Sequence, residues 1–137
     1  MLNAKYREAW GILEQARYEL NKIYEADPGA TSEEDKEAYY ILEDIISRLE
    51  SAANSIEYLK APPKEGRLRE ESNGKFYIEY KDGTSGYLLS CGNRLEIRDG
   101  DQWQIGRVEA KNGKYYFYGD TKPNLYEGME ARTRILD

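Results

Sequence analysis

The feature that most constrains the fold is a change of hydrophobic period at Pro62-Pro63. Before these prolines, apolar residues recur every three or four positions, which is the spacing of an amphipathic helix. After them, apolar and polar residues alternate, which is the pattern of a half-buried β-strand. Because two prolines stop a helix and stiffen the chain, we expect a helical region at 1–60, a linker at 61–66 and a β domain at 67–137.

The helical region contains two apolar stripes with the same rhythm. The first consists of Leu2, Tyr6, Ala9, Leu13, Ala16, Leu20 and Ile23, and the second of Ala38, Leu42, Ile45, Leu49, Ala52, Ile56 and Leu59. The segment Asp-Pro-Gly-Ala at 27–30 ends the first helix, and a capping sequence at 31–35 begins the second. A loop this short predicts an antiparallel hairpin. Ile23 then lies near Ala38, and the remaining pairs follow in order along the hairpin.

The apolar stripes are wider than the seam of a two-helix hairpin. Trp10, Ile41, Ile46 and Ala53 lie beside the stripes and would stay partly exposed in a single hairpin. A helix of about 25 residues is about 37 Å long, which exceeds the width of about 20–25 Å of a β domain of about 70 residues. We therefore predict that these four residues form a homodimer interface. The alternative is that the hairpin packs on its own β domain.

The second half predicts five or six short strands that are separated by turns rich in glycine. Five of them have the sequences GRLREE (66–71), KFYIEY (75–80), RLEIR (94–98), QWQIGRVEA (102–110) and KYYFYG (114–119), and the sixth is expected near 131–135. Short strands with tight turns are typical of a small closed barrel of the SH3-like kind. The predicted fold is therefore α+β, with an antiparallel helical hairpin followed by a small SH3-like β-barrel of five or six strands.

Turn glycines and apolar residues of the β half also carry a resemblance. They are Gly66-Arg67-Leu68, Asn73–Tyr77, Cys91–Ile97, Asp99-Gly100, Trp103, Gly106–Glu109, Tyr115–Phe117 and Leu125–Met129. With these residues the segment at about 66–135 resembles an uncharacterised family of small bacterial domains of unknown function, found mainly in Firmicutes. The resemblance implies a small β-barrel and no established activity, and it does not include the hairpin. Asn93 stands where that family commonly has Asp, so the resemblance offers no catalytic acid there.

The composition argues against catalysis and cofactor binding. The chain has no histidine and one cysteine, Cys91, so it lacks the Ser–His and Cys–His pairs of nucleophilic catalysis and the usual zinc ligand sets. We interpret Cys91 as a small buried residue at a turn. No apolar run approaches the roughly 20 residues of a membrane span, and the N-terminal segment lacks the apolar core of a secretory signal. We therefore expect a cytoplasmic protein that is not an enzyme, has no cofactor and does not contact a membrane.

Aromatic and arginine side chains of the predicted strands are the candidates for binding. They are Trp103, Tyr116, Tyr118, Arg107, Arg132 and Arg134. Tyrosine, tryptophan and arginine are enriched in protein interfaces, so we predict that the barrel surface binds a protein or peptide. The alternative is an accessory nucleic-acid-binding protein that uses the arginine-bearing face, which the net charge of −6 disfavours. The simpler interpretations are that Trp103 plugs the core and that the tyrosines and arginines form a solvated surface.

Overall fold

A computed structural model of the chain describes residues 2–29 and 31–134. They form two compact units, and the boundary between the units along the chain falls between Lys60 and Ala61. The first unit is helical and the second is a β-sheet. The division falls where the predicted helical region ends. No helix in the described residues is both long enough and apolar enough to cross a membrane.

Two helices, α1 (Ala4–Glu25) and α2 (Glu33–Lys60), make up the first unit. The Asn3 side chain caps α1 by accepting a hydrogen bond from an N–H group of the first turn at 2.8 Å. Ser32 caps α2 in the same way, because its hydroxyl accepts from the Asp35 N–H at 3.1 Å. Acidic residues fill the first turn of α2 and complement the positive end of its helix dipole. The caps and the short loop produce the two helices that the sequence predicts.

The helices face each other through Tyr24 and Tyr39, whose rings stack with their centroids 5.2 Å apart. The Tyr24 hydroxyl also donates to the Glu43 carboxylate at 3.2 Å. Starting from Tyr24 on α1 and Tyr39 on α2, residues that are three or four positions apart lie along one line on each helix. We call the residues of these two lines together the helix seam. Its other members are the buried or half-buried Trp10, Leu13, Arg17 and Leu20 on α1 and Leu42, Ile46, Leu49 and Ala53 on α2. The predicted pair nearest the loop is Ile23 with Ala38, so the helix seam is displaced by one residue on each helix.

The displacement changes the role of three predicted interface residues. Ile46 and Ala53 are only 7% and 3% exposed, and Trp10 is half-buried. The expectation that these residues lie beside the seam is therefore wrong, and so is the partial exposure expected of Ile46 and Ala53, whereas Trp10 is partly exposed as expected. Ile41, the fourth candidate, is 53% exposed and lies outside the helix seam. The homodimer itself stays a prediction.

Six antiparallel strands make up the second unit. They are β1 (Pro63–Glu70), β2 (Phe76–Tyr80), β3 (Arg94–Asp99), β4 (Gln102–Lys111), β5 (Lys114–Tyr118) and β6 (Glu130–Arg134). Their order across the sheet is β2-β1-β6-β3-β4-β5. Residues 63–66, a linker by the sequence prediction, are the first half of β1 and pair with residues 131–134 of β6. Ile135, the last residue of the predicted final strand, lies outside the described residues.

One side of the sheet carries a continuous apolar core. Leu68, Leu95, Val108 and Phe117 have no exposed surface at all. The close packing depends on Gly106, because a Cβ atom at that position would come within 2.5 Å of the Phe117 ring. Strands from both halves of the sheet contribute to this core, so the unit is held together by burial as well as by its hydrogen-bonded ladders.

The sheet is open, and irregular segments of the same unit cover its two edges. Residues 84–89 follow β2 and residues 121–125 follow β5, and main-chain hydrogen bonds of 2.8–3.1 Å join each segment to its strand. Covered edges have fewer unpaired N–H and C=O groups, so they need no further strand partner. The predicted α+β fold with six strands is confirmed. Closure into an SH3-like barrel is not confirmed, because β2 and β5 do not pair within the described residues.

Candidate functional site

The side of the sheet opposite the core, which we call the outer face, carries all six candidate binding residues. Val108, Phe117 and Ala131 belong to the core, and side chains alternate between the two sides of a strand. The outer face therefore receives Trp103 and Arg107 of β4, Tyr116 and Tyr118 of β5, and Arg132 and Arg134 of β6. The sequence alone leaves open which side of β5 is outward, and the burial of Phe117 decides it.

Trp103 is the centre of a cluster of guanidinium groups on the outer face. It lies directly opposite Arg98 in the β3–β4 ladder, and the Arg98 guanidinium is 5.4 Å from its ring centre. The Arg132 guanidinium is 4.5 Å from the same ring. These cation–π contacts hold the half-buried indole in position. Trp103 is therefore part of the outer face and does not plug the core.

Glu96 holds two of the predicted arginines in place. Its side chain is completely buried, and its two carboxylate oxygens accept from the Nε groups of Arg132 and Arg134 at 2.9 Å each. A buried carboxylate needs such partners because its desolvation is otherwise too costly. The side chains of Arg132 and Arg134 are only 15% and 18% exposed. Both arginines are therefore committed to an internal ionic cluster, which makes them poor candidates for contacting a phosphate backbone.

A groove of about 560 Å³, which we call the outer groove, lies on the outer face beside Trp103. Three ion pairs line it, Lys81–Glu65 at 2.7 Å, Arg67–Glu130 at 3.3 Å and Arg69–Glu79 at 3.3 Å. The fourth cation of the lining is Arg98, and it forms no ion pair with a carboxylate among the described residues. Its Nε donates instead to the Gly100 carbonyl at 3.0 Å. Among the described residues, Arg98 is therefore the one cation of the lining without a carboxylate at salt-bridge distance, although its charge reaches Glu65 and helps to lower the pKa of that carboxyl group.

Two carboxyl groups are held in the ionised form, Glu65 in the outer groove and Asp82 at one end of it. A hydrogen bond from Lys81 and the positive charges around it keep the pKa of Glu65 below its ordinary value. Beyond the end of β2, hydrogen bonds from Thr84 and the ammonium of Lys64 lower the pKa of Asp82 to about 2. Neither group exchanges a proton near neutral pH, so both act as fixed charges.

A second concave region of about 490 Å³ lies beside the β4–β5 turn. Lys111, Lys114 and Lys122 line it together with Tyr116, and we call it the lysine patch. None of these lysines forms an ion pair within residues 2–29 and 31–134. Positive charge beside a half-buried aromatic ring can receive an anionic ligand, so the lysine patch is a second candidate site.

The six candidate residues therefore divide between two places on the outer face. Trp103, Arg132 and Arg134 belong to the cluster beside the outer groove. The other three lie near the lysine patch. Arg107 is tied there, because its Nε donates to Glu109 at 2.8 Å and its guanidinium is 4.2 Å from the Tyr118 ring.

Sequence reasoning misses Arg98 and Glu96 as members of the site. The turn at 99–101 places Arg98 opposite Trp103. Arg98 can therefore be identified from the sequence by pairing the residues of the two strands outward from that turn. No local signal shows that Glu96 is buried, because its partners come from β6, far along the chain. The interpretation of Cys91 as a buried residue is wrong, because Cys91 is exposed.

Comparison with known proteins finds one family that matches part of the chain, within the sheet unit. Residues 66–133 match the family described as a domain of unknown function, DUF5348. No curated protein and no solved structure matches the chain. The predicted resemblance to an uncharacterised domain family is confirmed, and its distribution among bacteria stays a prediction. Among the described residues, no three Asp, Glu or Cys side chains are grouped so that they could hold a metal ion.

Proposed function

Because residues 66–133 of this chain are a DUF5348 domain, and that family is of unknown function, we propose from the geometry alone that the protein is a non-enzymatic interaction module. The outer groove binds a protein or peptide segment that presents a carboxylate to Arg98. The helical hairpin joins copies of the chain. The observation that supports the binding role is Arg98, a cation that has no salt bridge within residues 2–29 and 31–134 and is held beside the Trp103 ring in the outer groove.

The charge balance of the outer groove favours an acidic partner. Its lining has four cations, of which three are paired with carboxylates, so an acidic side chain would complete the set. The Gly100 carbonyl and the Trp103 ring orient the Arg98 guanidinium before any partner arrives. A pre-oriented group loses less conformational entropy on binding. Tryptophan and arginine are also the residues that contribute most to binding energy in protein interfaces.

The non-enzymatic role is supported by the chemistry of the outer groove. The chain has no histidine, and the depressed pKa of Glu65 makes its carboxylate a poor general acid or base near neutral pH. We place the protein in the cytoplasm as part of this proposal. The support is Cys91, a free and exposed thiol of the kind that a reducing compartment preserves.

Two labelled peptides of equal length, one rich in glutamate and one rich in lysine, test the proposal. The glutamate-rich peptide should bind the wild-type protein better than the lysine-rich one. Arg98→Glu should weaken its binding about tenfold or more, because a charge-assisted contact becomes a repulsive one. Lys114→Glu is the matched control, since it changes the net charge equally at the lysine patch. Equal losses in both variants would show general charge attraction and contradict a site at the outer groove.

The second candidate function is binding of single-stranded nucleic acid at the lysine patch. The unpaired lysines around Tyr116 support it, because phosphates and a stacked base would meet them there. A labelled oligothymidylate titrated at several salt concentrations tests this function. Binding that weakens steeply with salt, is lost in Lys114→Glu and survives in Arg98→Glu would favour nucleic acid over peptide. The reverse pattern, or no binding, would reject it.

A further inference from the structure

One side of the helical hairpin exposes four isoleucines, which we call the isoleucine face. Ile12, Ile23, Ile41 and Ile45 are 66%, 52%, 53% and 40% exposed. Alanines and isoleucines with the same sequence spacing occur on both helices. They are Ala9, Ile12, Ala16 and Ile23 on α1 and Ala38, Ile41, Ile45 and Ala52 on α2. Single exposed apolar residues are ordinary, but a row of them on each of two neighbouring helices marks an interaction surface, here interrupted by Glu19 on α1 and Arg48 on α2.

The two rows lie on the same side of the hairpin. At 3.6 residues per turn, each isoleucine is about 80–120° around its helix from the helix seam, and the rotation has the same sense on α1 and α2. Since the helices are antiparallel and face each other through Tyr24 and Tyr39, equal rotations bring both rows to one side. Tyr18 and Tyr40 are also exposed, and the same geometry places them on the opposite side.

We infer that a second copy of this chain covers the isoleucine face, so that two hairpins form a four-helix bundle. This inference rests on the proposal that the hairpin joins copies of the chain, and it identifies the surface they use. That surface differs from the predicted interface, because Ile46, Ala53 and Trp10 belong to the helix seam. Of the four predicted interface residues, only Ile41 is retained.

The isoleucine face is complementary to itself. Suppose that the two-fold axis runs parallel to the helices. Then α1 of one chain packs against α2 of the other, and each residue of α1 has the same height along the axis relative to both copies of α2. The Tyr24–Tyr39 stack sets that height. The layers then pair Ile12 with Ala52, Ala16 with Ile45, and Ile23 with Ile41. Two of these three layers set a large side chain against a small one, which lets the helices approach closely.

The size of the isoleucine face also suits a second hairpin. With 22 residues, α1 is about 33 Å long, and two helices of about 10 Å diameter make a side of about 650 Å². A stable interface buries about 800 Å² on each partner, which is similar. A single bound helix, about 10 Å wide, would cover about half of the width of this side, whereas a second hairpin has the required width and length.

Light scattering at micromolar concentration tests the dimer. The wild-type protein should have twice the 15.9 kDa mass of one chain. Ile41→Glu should give the mass of one chain with unchanged helical circular dichroism, because it would bury a charge in the dimer while Ile41 is exposed in the single chain. Tyr18→Glu is the matched control on the opposite side and should remain dimeric. A single-chain mass for the wild type, or a dimer that survives Ile41→Glu, overturns the inference.

Disulfide trapping tests the arrangement. Ala16→Cys and Ile45→Cys are made in separate chains that also carry Cys91→Ser, and the two chains are co-expressed. Oxidation should link one variant to the other, because Ala16 and Ile45 face each other across the two-fold axis within the short reach of a disulfide. Links within a sample of a single variant would overturn the packing of α1 against α2.

The glutamate-rich peptide separates failure of this inference from failure of the proposed binding function. Ile41→Glu should bind the peptide as the wild type does, and Arg98→Glu should keep the mass of the dimer. A monomeric wild-type protein that still binds the peptide through Arg98 would overturn the dimer and leave the outer groove standing. A dimer that does not bind the peptide would do the opposite.

Discussion

The two units of the protein bury their apolar residues to very different extents. In the sheet unit, Leu68, Leu95, Val108 and Phe117 have no exposed surface, whereas α1 of the hairpin has no fully buried residue. A sheet can cover one whole side with residues from its own strands and loops, but two helices offer each other only a narrow seam. The sheet unit therefore contains a core of its own. The hairpin leaves apolar side chains such as Ile12 and Ile41 exposed.

The two units also differ in net charge. Residues 1–60 contain 7 basic and 13 acidic side chains, a net charge of −6, whereas residues 61–137 contain 13 of each and are neutral. On the sheet, the acidic and basic residues of neighbouring strands form ion pairs across the outer face. The excess negative charge of the hairpin repels nucleic acid. The proposed nucleic-acid site is therefore confined to the lysine patch of the sheet unit.

The largest expected contrast is between core substitutions in the two units. Phe117→Ala should lower the free energy of unfolding of the sheet unit by about 3–5 kcal/mol, because it empties a fully buried site. Leu13→Ala in the helix seam should cost less, about 1–2 kcal/mol, because Leu13 is only half-buried. Urea unfolding of each variant measures both values.

The two tryptophans allow the units to be followed separately. Trp10 lies in α1 and Trp103 in β4, so Trp10→Phe leaves a fluorescent reporter for the sheet unit and Trp103→Phe leaves one for the hairpin. A cost for Leu13→Ala as large as that for Phe117→Ala would break the comparison. It would mean that the hairpin has a core as complete as that of the sheet.

A smaller effect is expected at Gly106 in the sheet. Gly106→Ala should destabilise the sheet unit by about 1–3 kcal/mol, because the added methyl group would overlap the Phe117 ring and the Tyr118 carbonyl. The Trp103 signal in urea measures the change. Combining Gly106→Ala with Phe117→Leu should recover part of the loss, since the smaller side chain makes room. No recovery would show that the backbone contact, and not the ring, sets the limit.

The corresponding glycine in the hairpin should behave in the opposite way. Gly11 lies in the interior of α1, and a Cβ atom there would meet nothing within 4 Å. Gly11→Ala should therefore stabilise the hairpin by about 0.5–1 kcal/mol through helix propensity alone. Thermal unfolding followed by the Trp10 signal checks this. An unchanged midpoint would indicate that α1 is not helical around Gly11 in the folded hairpin at the temperature of the transition.

The elements of both units could be predicted because their periods are local properties of the sequence. The position of the helix seam could not, since Ala9-Trp10, Ile45-Ile46 and Ala52-Ala53 are adjacent apolar pairs that fit two neighbouring stripes equally well. The contact between Tyr24 and Tyr39 decides between them. A local period cannot specify a contact between side chains on different helices.

The order of the strands and the edges of the sheet were also beyond local patterns. β1 pairs with β6 across more than 60 positions of sequence, and no alternation marks that partner. The segments 84–89 and 121–125 cover the edges without forming regular strands, so strand counting alone suggested closure into a barrel. The outer face followed from alternation once the core was known. The role of Arg98 required the register of the β3–β4 hairpin.

The smallest expected contrast is in the response of the two units to pH. The stacked Tyr39 hydroxyl, the partial burial and the Glu43 carboxylate raise the pKa of Tyr24 to about 12, from an ordinary 10.0. The folded hairpin therefore retains that proton more tightly than the unfolded chain does. This contribution to stability is complete below pH 10 and is lost as the pH rises from 10 towards 12. Asp82 in the sheet unit has its pKa lowered to about 2, from 3.8, so its contribution is complete above pH 3.8 and is lost as the pH falls towards 2.

Tyr24 should thus make the hairpin lose stability on the alkaline side of neutrality, and Asp82 should make the sheet unit lose it on the acid side. Asp35, with a lowered pKa, adds an acid limb to the hairpin, and Tyr80, with a raised pKa, adds an alkaline limb to the sheet unit. Urea unfolding across the pH range measures this, with Trp10 reporting on the hairpin and Trp103 on the sheet. Tyr24→Phe should remove part of the alkaline loss and leave the acid limb unchanged, because phenylalanine has no proton to release. Asp82→Asn should remove part of the acid limb of the sheet unit and none of that of the hairpin, because asparagine can still accept from Thr84 at every pH, while Glu65 still titrates. If Tyr24→Phe leaves the alkaline limb of the Trp10 signal as steep as in the wild type, the Tyr24 hydroxyl is not held between Tyr39 and Glu43, and the contact that sets the helix seam is wrong.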